Sequence, residues 1–277
     1  MALFRVILIF STIMILRSEL FSQEISSYKF SFGPANEVPG YIKVNAYDKY
    51  SSRTGYGFDL GTIPFAIDRG GRKPLTSGFC TGDKPFFFSV SLPAGNYNIK
   101  IITGDLKESS STTVKAESRR LIFEKIPTEP GKFETMTATI NIRTPKIGDT
   151  GEEVMRKPRE MNKLNWDEKL TFEFTGKRPC ICALEITRTI DAVTVFLAGN
   201  STVVDQDDEP WASWGQMFPR FLTQGAAVSN HAESGLSLGT FLSSNRLKQV
   251  MNMMKPGDYL FIEFGHNDQK ETGPDDG

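Results

Sequence analysis

Three short polar stretches hold the residues of this chain best suited to chemistry, and each directly follows an apolar run. Gly199-Asn200-Ser201-Thr202-Val203 comes after Val193 to Ala198. Asn230-His231-Ala232-Glu233-Ser234-Gly235 comes after Gly225 to Ser229, and Gly265-His266-Asn267-Asp268 after Asp258 to Phe264. The chemistry they suit is acyl transfer: a serine hydroxyl attacks an acyl carbonyl, and the oxyanion that forms needs donors already aimed at it in a site drier than water. Taken singly, each residue has a plainer role, Ser201 as a helix N-cap, Gly235 as a turn and Asn267 as an Asx-turn. What sets them apart is their shared placement.

That placement depends on the elements around them. The three apolar runs read as strands separated by helix-like stretches, Trp211 to Gln224 and Leu238 to Met254. Strand, helix, strand, helix, strand implies right-handed crossovers and a parallel sheet with helices on its faces. In such sheets ligands bind beyond the carboxyl ends of the strands, which puts all three polar loops on one rim. Upstream, Tyr28–Phe32, Tyr41–Asn45, Phe86–Ser91, Tyr97–Thr103, Phe133–Thr144, Leu170–Thr175 and Ile181–Thr187 read as short strands with Gly, Pro and Asn between them. This pattern predicts an all-β sandwich or jelly roll. In the longest run Met136, Ala138, Ile140 and Ile142 alternate with Thr137, Thr139, Asn141 and Arg143, predicting one face in a core and the other in water.

The expected organisation is therefore multidomain: a signal peptide over 1–22, a β-sandwich over 23–190, and an α/β part over 191–277. Arg5, the apolar run from Val6, the stop at Arg17 and the small residue Ser22 before Gln23 make up the export signal. A formal net charge of −1 over 277 residues carries no basic excess for nucleic acid. Cys80, Cys180 and Cys182 are too few to staple a chain of this size and read as packing residues. With two histidines and no C-x-x-C pair, neither a metal nor a cofactor is implied. Asp205 to Glu209 reads as a solvated acidic loop, with the border of a substrate groove as the alternative, and Trp211 and Trp214 read as packing.

The three loops resemble, in order, the first three sequence blocks of the SGNH (GDSL-like) hydrolases, most closely the rhamnogalacturonan acetylesterase branch. Leu197-Ala198-Gly199-Asn200-Ser201-Thr202-Val203 is similar to the nucleophile block, Ala232-Glu233-Ser234-Gly235-Leu236-Ser237 to the glycine block, and Glu263-Phe264-Gly265-His266-Asn267-Asp268 to the G-x-N-D block. Tyr56-Gly57-Phe58 and Leu92-Pro93-Ala94-Gly95 resemble the galactose-binding-like sandwich that precedes this domain in some members. The resemblance implies a three-layer α/β hydrolase domain, Ser201 as nucleophile, and the backbone N–H groups of Ser201 and Gly235 with the Asn267 amide as oxyanion donors. It implies a secreted esterase acting on an acetylated, pectic polysaccharide.

Two departures follow. The family's Asp-x-x-His block, which supplies the acid and base, is missing, so the chain is expected to be an incomplete, nearly inactive form; His231 and His266 both lie in other blocks. Asn200 stands where the family's block has aspartate. Gly235-Leu236-Ser237-Leu238-Gly239 also fits the G-x-S-x-G nucleophile elbow, but that elbow runs straight from a strand into its serine, whereas Asn230 to Ser234 intervene here. A non-catalytic glycan-binding protein and a lipid esterase of the same superfamily remain as alternatives.

Overall fold

The computed structural model describes residues 27–35 and 37–270. The expected export signal lies outside them, and no helix among the described residues is long and apolar enough to cross a membrane. Among the described residues the strands run β1 (Ser27–Phe32), β2 (Ile42–Val44), β3 (Tyr56–Asp59), β4 (Phe65–Asp68), β5 (Gly78–Thr81), β6 (Phe86–Ser91), β7 (Gly95–Gly104), β8 (Ser110–Ala116), β9 (Arg120–Thr128), β10 (Phe133–Ile142), β11 (Lys169–Thr175), β12 (Cys180–Ile181), β13 (Ala183–Thr189), β14 (Val193–Gly199), β15 (Ala226–Asn230) and β16 (Tyr259–Glu263).

One sheet has the order β10-β7-β13-β1-β2 and a second the order β3-β6-β11-β8-β9, with a small sheet β12-β5-β4 beside them. The inward residues of the two large sheets meet in an aromatic core: Phe30 of β1 stacks edge-on against Phe88 of β6 with ring centroids 5.1 Å apart, and Phe58, Phe172 and Ile99 are buried with them. Period-2 burial along β8, in which Ser110, Thr112, Val114 and Ala116 are buried, marks a strand that polar composition conceals. The sandwich expectation holds, but β3, β4, β5, β8 and β9 lie outside the seven runs read from sequence. Val114 and Ala116 alternate with Thr113 and Lys115, and the Ser and Thr residues dilute the apolar contrast that sequence periodicity detects.

The polar face of β10 departs from expectation. Thr139, Asn141 and Arg143 are buried because the parallel unit lies against them: Gly225 N donates to Thr139 Oγ1 at 2.8 Å. Alternation gave the correct two faces and the wrong environment for one of them.

The cysteines are free and buried. Cys80 lies in the aromatic core, while Cys180 and Cys182 pack with Phe79. Burial raises all three thiol pKa values, so thiolate is scarce and access is closed. Ellman's reagent is expected to leave the folded chain unmodified over minutes and to titrate all three thiols after denaturation; prompt labelling of the native protein would contradict this packing.

Downstream, β14 is the centre of a parallel sheet of order β15-β14-β16. Its Val195 and Leu197 pack with Val203, Val228 and Phe218, and its Phe196 and Ala198 with Leu236, Phe241 and Val250. A strand covered on both faces accounts for the continuous apolar run. The expected helix over Trp211 to Gln224 is instead one turn at Trp214–Met217 followed by a 3₁₀ turn at Phe218–Phe221, since Pro219 has no N–H to continue a helix. The second expected helix divides into Leu238–Ser243 and Arg246–Met253 around Asn245, whose φ is 63°.

Candidate active site

All three polar loops leave the carboxyl ends of the parallel strands, and hydrogen bonds tie them to one another. Asn200, buried, accepts from Thr202 N at 3.1 Å and Thr202 Oγ1 at 3.0 Å. This Asx-turn lifts Ser201 off the end of β14. The neutral amide therefore keeps the acceptor role within its loop. The single Thr202 hydroxyl proton is shared between Asn200 and Glu263 at the end of β16, and Trp214 Nε1 donates to the other oxygen of that carboxylate at 2.7 Å. Glu233 N donates to Gly199 O at 3.3 Å, linking the first loop to the second. Asn267 Nδ2 donates to Leu236 O at 2.9 Å and Asp268 accepts from Leu238 N at 2.8 Å, linking the third loop to the second, while Gly265 N donates to Asp268 at 2.8 Å within the third loop. The hydrogen bond from Leu238 N is the largest of the causes that hold the Asp268 carboxyl below its ordinary range.

Ser201 is partly exposed and begins no helix, so the N-cap reading fails for it. Ser201 N and Gly235 N donate to no protein backbone acceptor among the described residues. Gly235, exposed at φ +75°, occupies a conformation that a side chain would strain. Asn267 is partly exposed. Ser237, the serine of the competing elbow pattern, is buried and caps the helix Leu238–Ser243, accepting from Thr240 N at 3.0 Å.

Neither histidine bonds to Ser201. His231 is fully buried, its Nε2 2.9 Å from Ser229 Oγ; burial, then the charge of Arg143, pushes its pKa well below the ordinary value. His266 is exposed.

Several residues around the rim carry no sequence signal. The stretch between β10 and β11 reaches across to the second loop: Lys157 Nζ donates to Ser234 O at 2.8 Å, Arg159 Nε to Glu233 Oε1 at 2.8 Å, and Lys163 Nζ to Glu233 Oε2 at 3.0 Å. Beneath them Glu160 takes both Nη2 hydrogen bonds of Arg246, at 2.8 and 2.6 Å, with both side chains buried. Asp205, read as part of a solvated loop, is buried instead and faces Arg120 Nε at 3.3 Å; an ion-pair partner from β9 makes that burial tolerable. Trp211, read as packing, is 67% exposed.

Residues 28–126 match the family model described as Beta-agarase/YXIM esterase-like, galactose-binding domain-like. The chain is 28% identical over 259 residues to the uncharacterized esterase YxiM of Bacillus subtilis strain 168, covering 87% of this chain and 59% of that protein. It is 46% identical over 83 residues to the rhamnogalacturonan acetylesterase RhgT of the same organism, covering 29% and 36%. The crystal structure of Bacillus subtilis YxiM matches with 25% identity and a TM-score of 0.44 over 89% of this chain and 67% of that one. The family resemblance is borne out: the relatives are an esterase and a rhamnogalacturonan acetylesterase, and residues 28–126 match a galactose-binding-like domain. The chain spans about three fifths of the length of YxiM and about a third of RhgT.

Proposed function

We propose that this chain carries the nucleophile and oxyanion-binding part of a secreted carbohydrate esterase that removes O-acetyl groups from a pectic, rhamnogalacturonan-type polysaccharide. Residues 1–22 are the export signal, 23–190 the galactose-binding-like sandwich, and 191–277 the first part of a three-layer SGNH-type domain. Ser201 attacks the acyl carbonyl; Ser201 N–H, Gly235 N–H and the Asn267 amide stabilise the oxyanion. The observation that carries the reading is the stitching of the three loops, above all Asn267 Nδ2 on Leu236 O beside Gly235. That bond uses one N–H of the Asn267 amide and leaves the second for substrate. The exposed apolar residues of β16, Tyr259, Phe261 and Ile262, fit a sheet that continues in a longer protein.

The test is acetate release from acetylated rhamnogalacturonan, against acetylated xylan, by a polypeptide read in frame beyond Gly277 and carrying an Asp-x-x-His block. Release abolished by Ser201→Ala supports the assignment; release that survives Ser201→Ala and vanishes in Ser237→Ala sinks it. In that polypeptide Asn267→Ala is expected to lower kcat by about 10²- to 10³-fold with little change in KM, since the donor acts on charge that develops during reaction. A second reading, a non-catalytic glycan-binding protein, is favoured by one observation: among the described residues no histidine bonds to Ser201. Retention of the chain on immobilised pectic glycan without acetate release from the longer form would favour it.

A further inference from the structure

Two cations from the sandwich hold one peptide group of the rim by its carbonyl. Lys157 Nζ donates to Ser234 O at 2.8 Å, and Arg159 Nη2 donates to the same oxygen. Glu233, 1% exposed, steadies Arg159 through its Nε and is itself held by Lys163. The nitrogen of that same peptide group belongs to Gly235, whose N–H points to no protein backbone acceptor among the described residues. A Cβ at Gly235 would stand 3.3 Å from Lys157 Nζ, so the ammonium lies directly beside the peptide.

We propose that Lys157 and Arg159 polarise the Ser234–Gly235 peptide group, so that the sandwich strengthens the Gly235 N–H as a donor toward an anionic oxygen. This rests on the reading of Gly235 as an oxyanion donor. Hydrogen bonds from charged donors are stronger than neutral ones, and bonds that share a polar group reinforce one another. Positive charge at the carbonyl oxygen draws electron density through the amide and leaves its N–H more acidic. Lys157 and Arg159 are therefore positioning residues: they act through the peptide group and touch no substrate. A role limited to holding the loop in place would need only a donor, charged or not.

Glycine labelled with ¹⁵N and serine labelled with ¹³C at the carbonyl, incorporated by cell-free synthesis into the full chain, isolate the Ser–Gly pairs, which are Ser77–Gly78 and Ser234–Gly235. In Lys157→Gln, which keeps a donor and loses the charge, the Gly235 amide signals are expected to move upfield. They move further in the Lys157→Gln, Arg159→Gln double variant and return toward the parent position in Lys157→Arg. The Gly78 signal, in the body of the sandwich, stays in place and reports an intact fold. Arg159→Gln alone offers the same comparison at a side chain 54% exposed, where the fold tolerates replacement. A Gly235 signal that does not move in Arg159→Gln or Lys157→Gln while Gly78 is unchanged overturns the proposal. The measurement needs no catalysis: a charge-dependent Gly235 shift with no acetate release from the longer polypeptide sinks the esterase reading alone, and release with no shift sinks the polarisation alone.

Discussion

A polypeptide of these 277 residues is expected to hydrolyse a chromogenic acetate ester on the order of 10⁶-fold more slowly than the same site supplied with its base. A serine hydroxyl is a weak nucleophile until a neighbouring base takes its proton. His231 cannot serve, because it is fully buried, bonded to Ser229 and held neutral by burial and by Arg143. Glu263, an acidic residue at the end of β16, already accepts from Thr202 and Trp214. Rapid turnover by the purified chain that disappears in Ser201→Ala would overturn this, and would require a base among residues assigned here to other tasks. Slow turnover that is the same in the parent and in Ser201→Ala is the expected result.

Replacing Glu160 with alanine is expected to destabilise the fold by about 3–5 kcal/mol, because it leaves the Arg246 guanidinium buried without its partner. Urea unfolding followed by tryptophan fluorescence measures this directly, since Trp166 donates to Glu160 Oε1 at 3.2 Å. The double replacement Glu160→Met, Arg246→Leu should cost far less than the single one, as apolar side chains need no compensating charge. A single variant within about 1 kcal/mol of the parent would show that the pair contributes little. The pH dependence follows with a definite sign. Burial pushes the Glu160 carboxyl up, but the Arg246 hydrogen bonds and charge outweigh it and set the pKa below the ordinary 4.5. The ionised group therefore stabilises the folded chain above pH 4.5, and that contribution fades as pH falls below 4.5 through the folded value. In the alanine variant this part of the acid sensitivity should vanish.

These two expectations rest on different kinds of information. Ser201, Gly235 and Asn267 could be proposed from sequence because each belongs to a local pattern: an apolar strand ends, a polar loop follows, and the chain turns within a few residues. The Asx-turn of Asn200 and the cap at Ser237, neither of them assigned from sequence, are equally local, with partners two or three positions apart. Periodicity also distinguished the two faces of β10, since that depends only on the pleat of one strand.

What covers a face is a property of distant chain. Thr139 meets Gly225, 86 positions on, Glu160 meets Arg246 at the same separation, and Lys157 meets Ser234 across 77. No window short enough to show a period contains both members of such a pair, so polar residues bound for a buried contact look the same as polar residues bound for water. The sequence by itself determined the strongly apolar and alternating strands, the order of the loops and the residues at their tips; β3, β4, β5, β8 and β9 emerged only in the folded chain. Tertiary structure decided that Asp205, Arg143 and Glu160 are inside, that Trp211 is outside, and that a segment of the sandwich leans on the rim, because burying a charge becomes tolerable only when folding brings its partner to it.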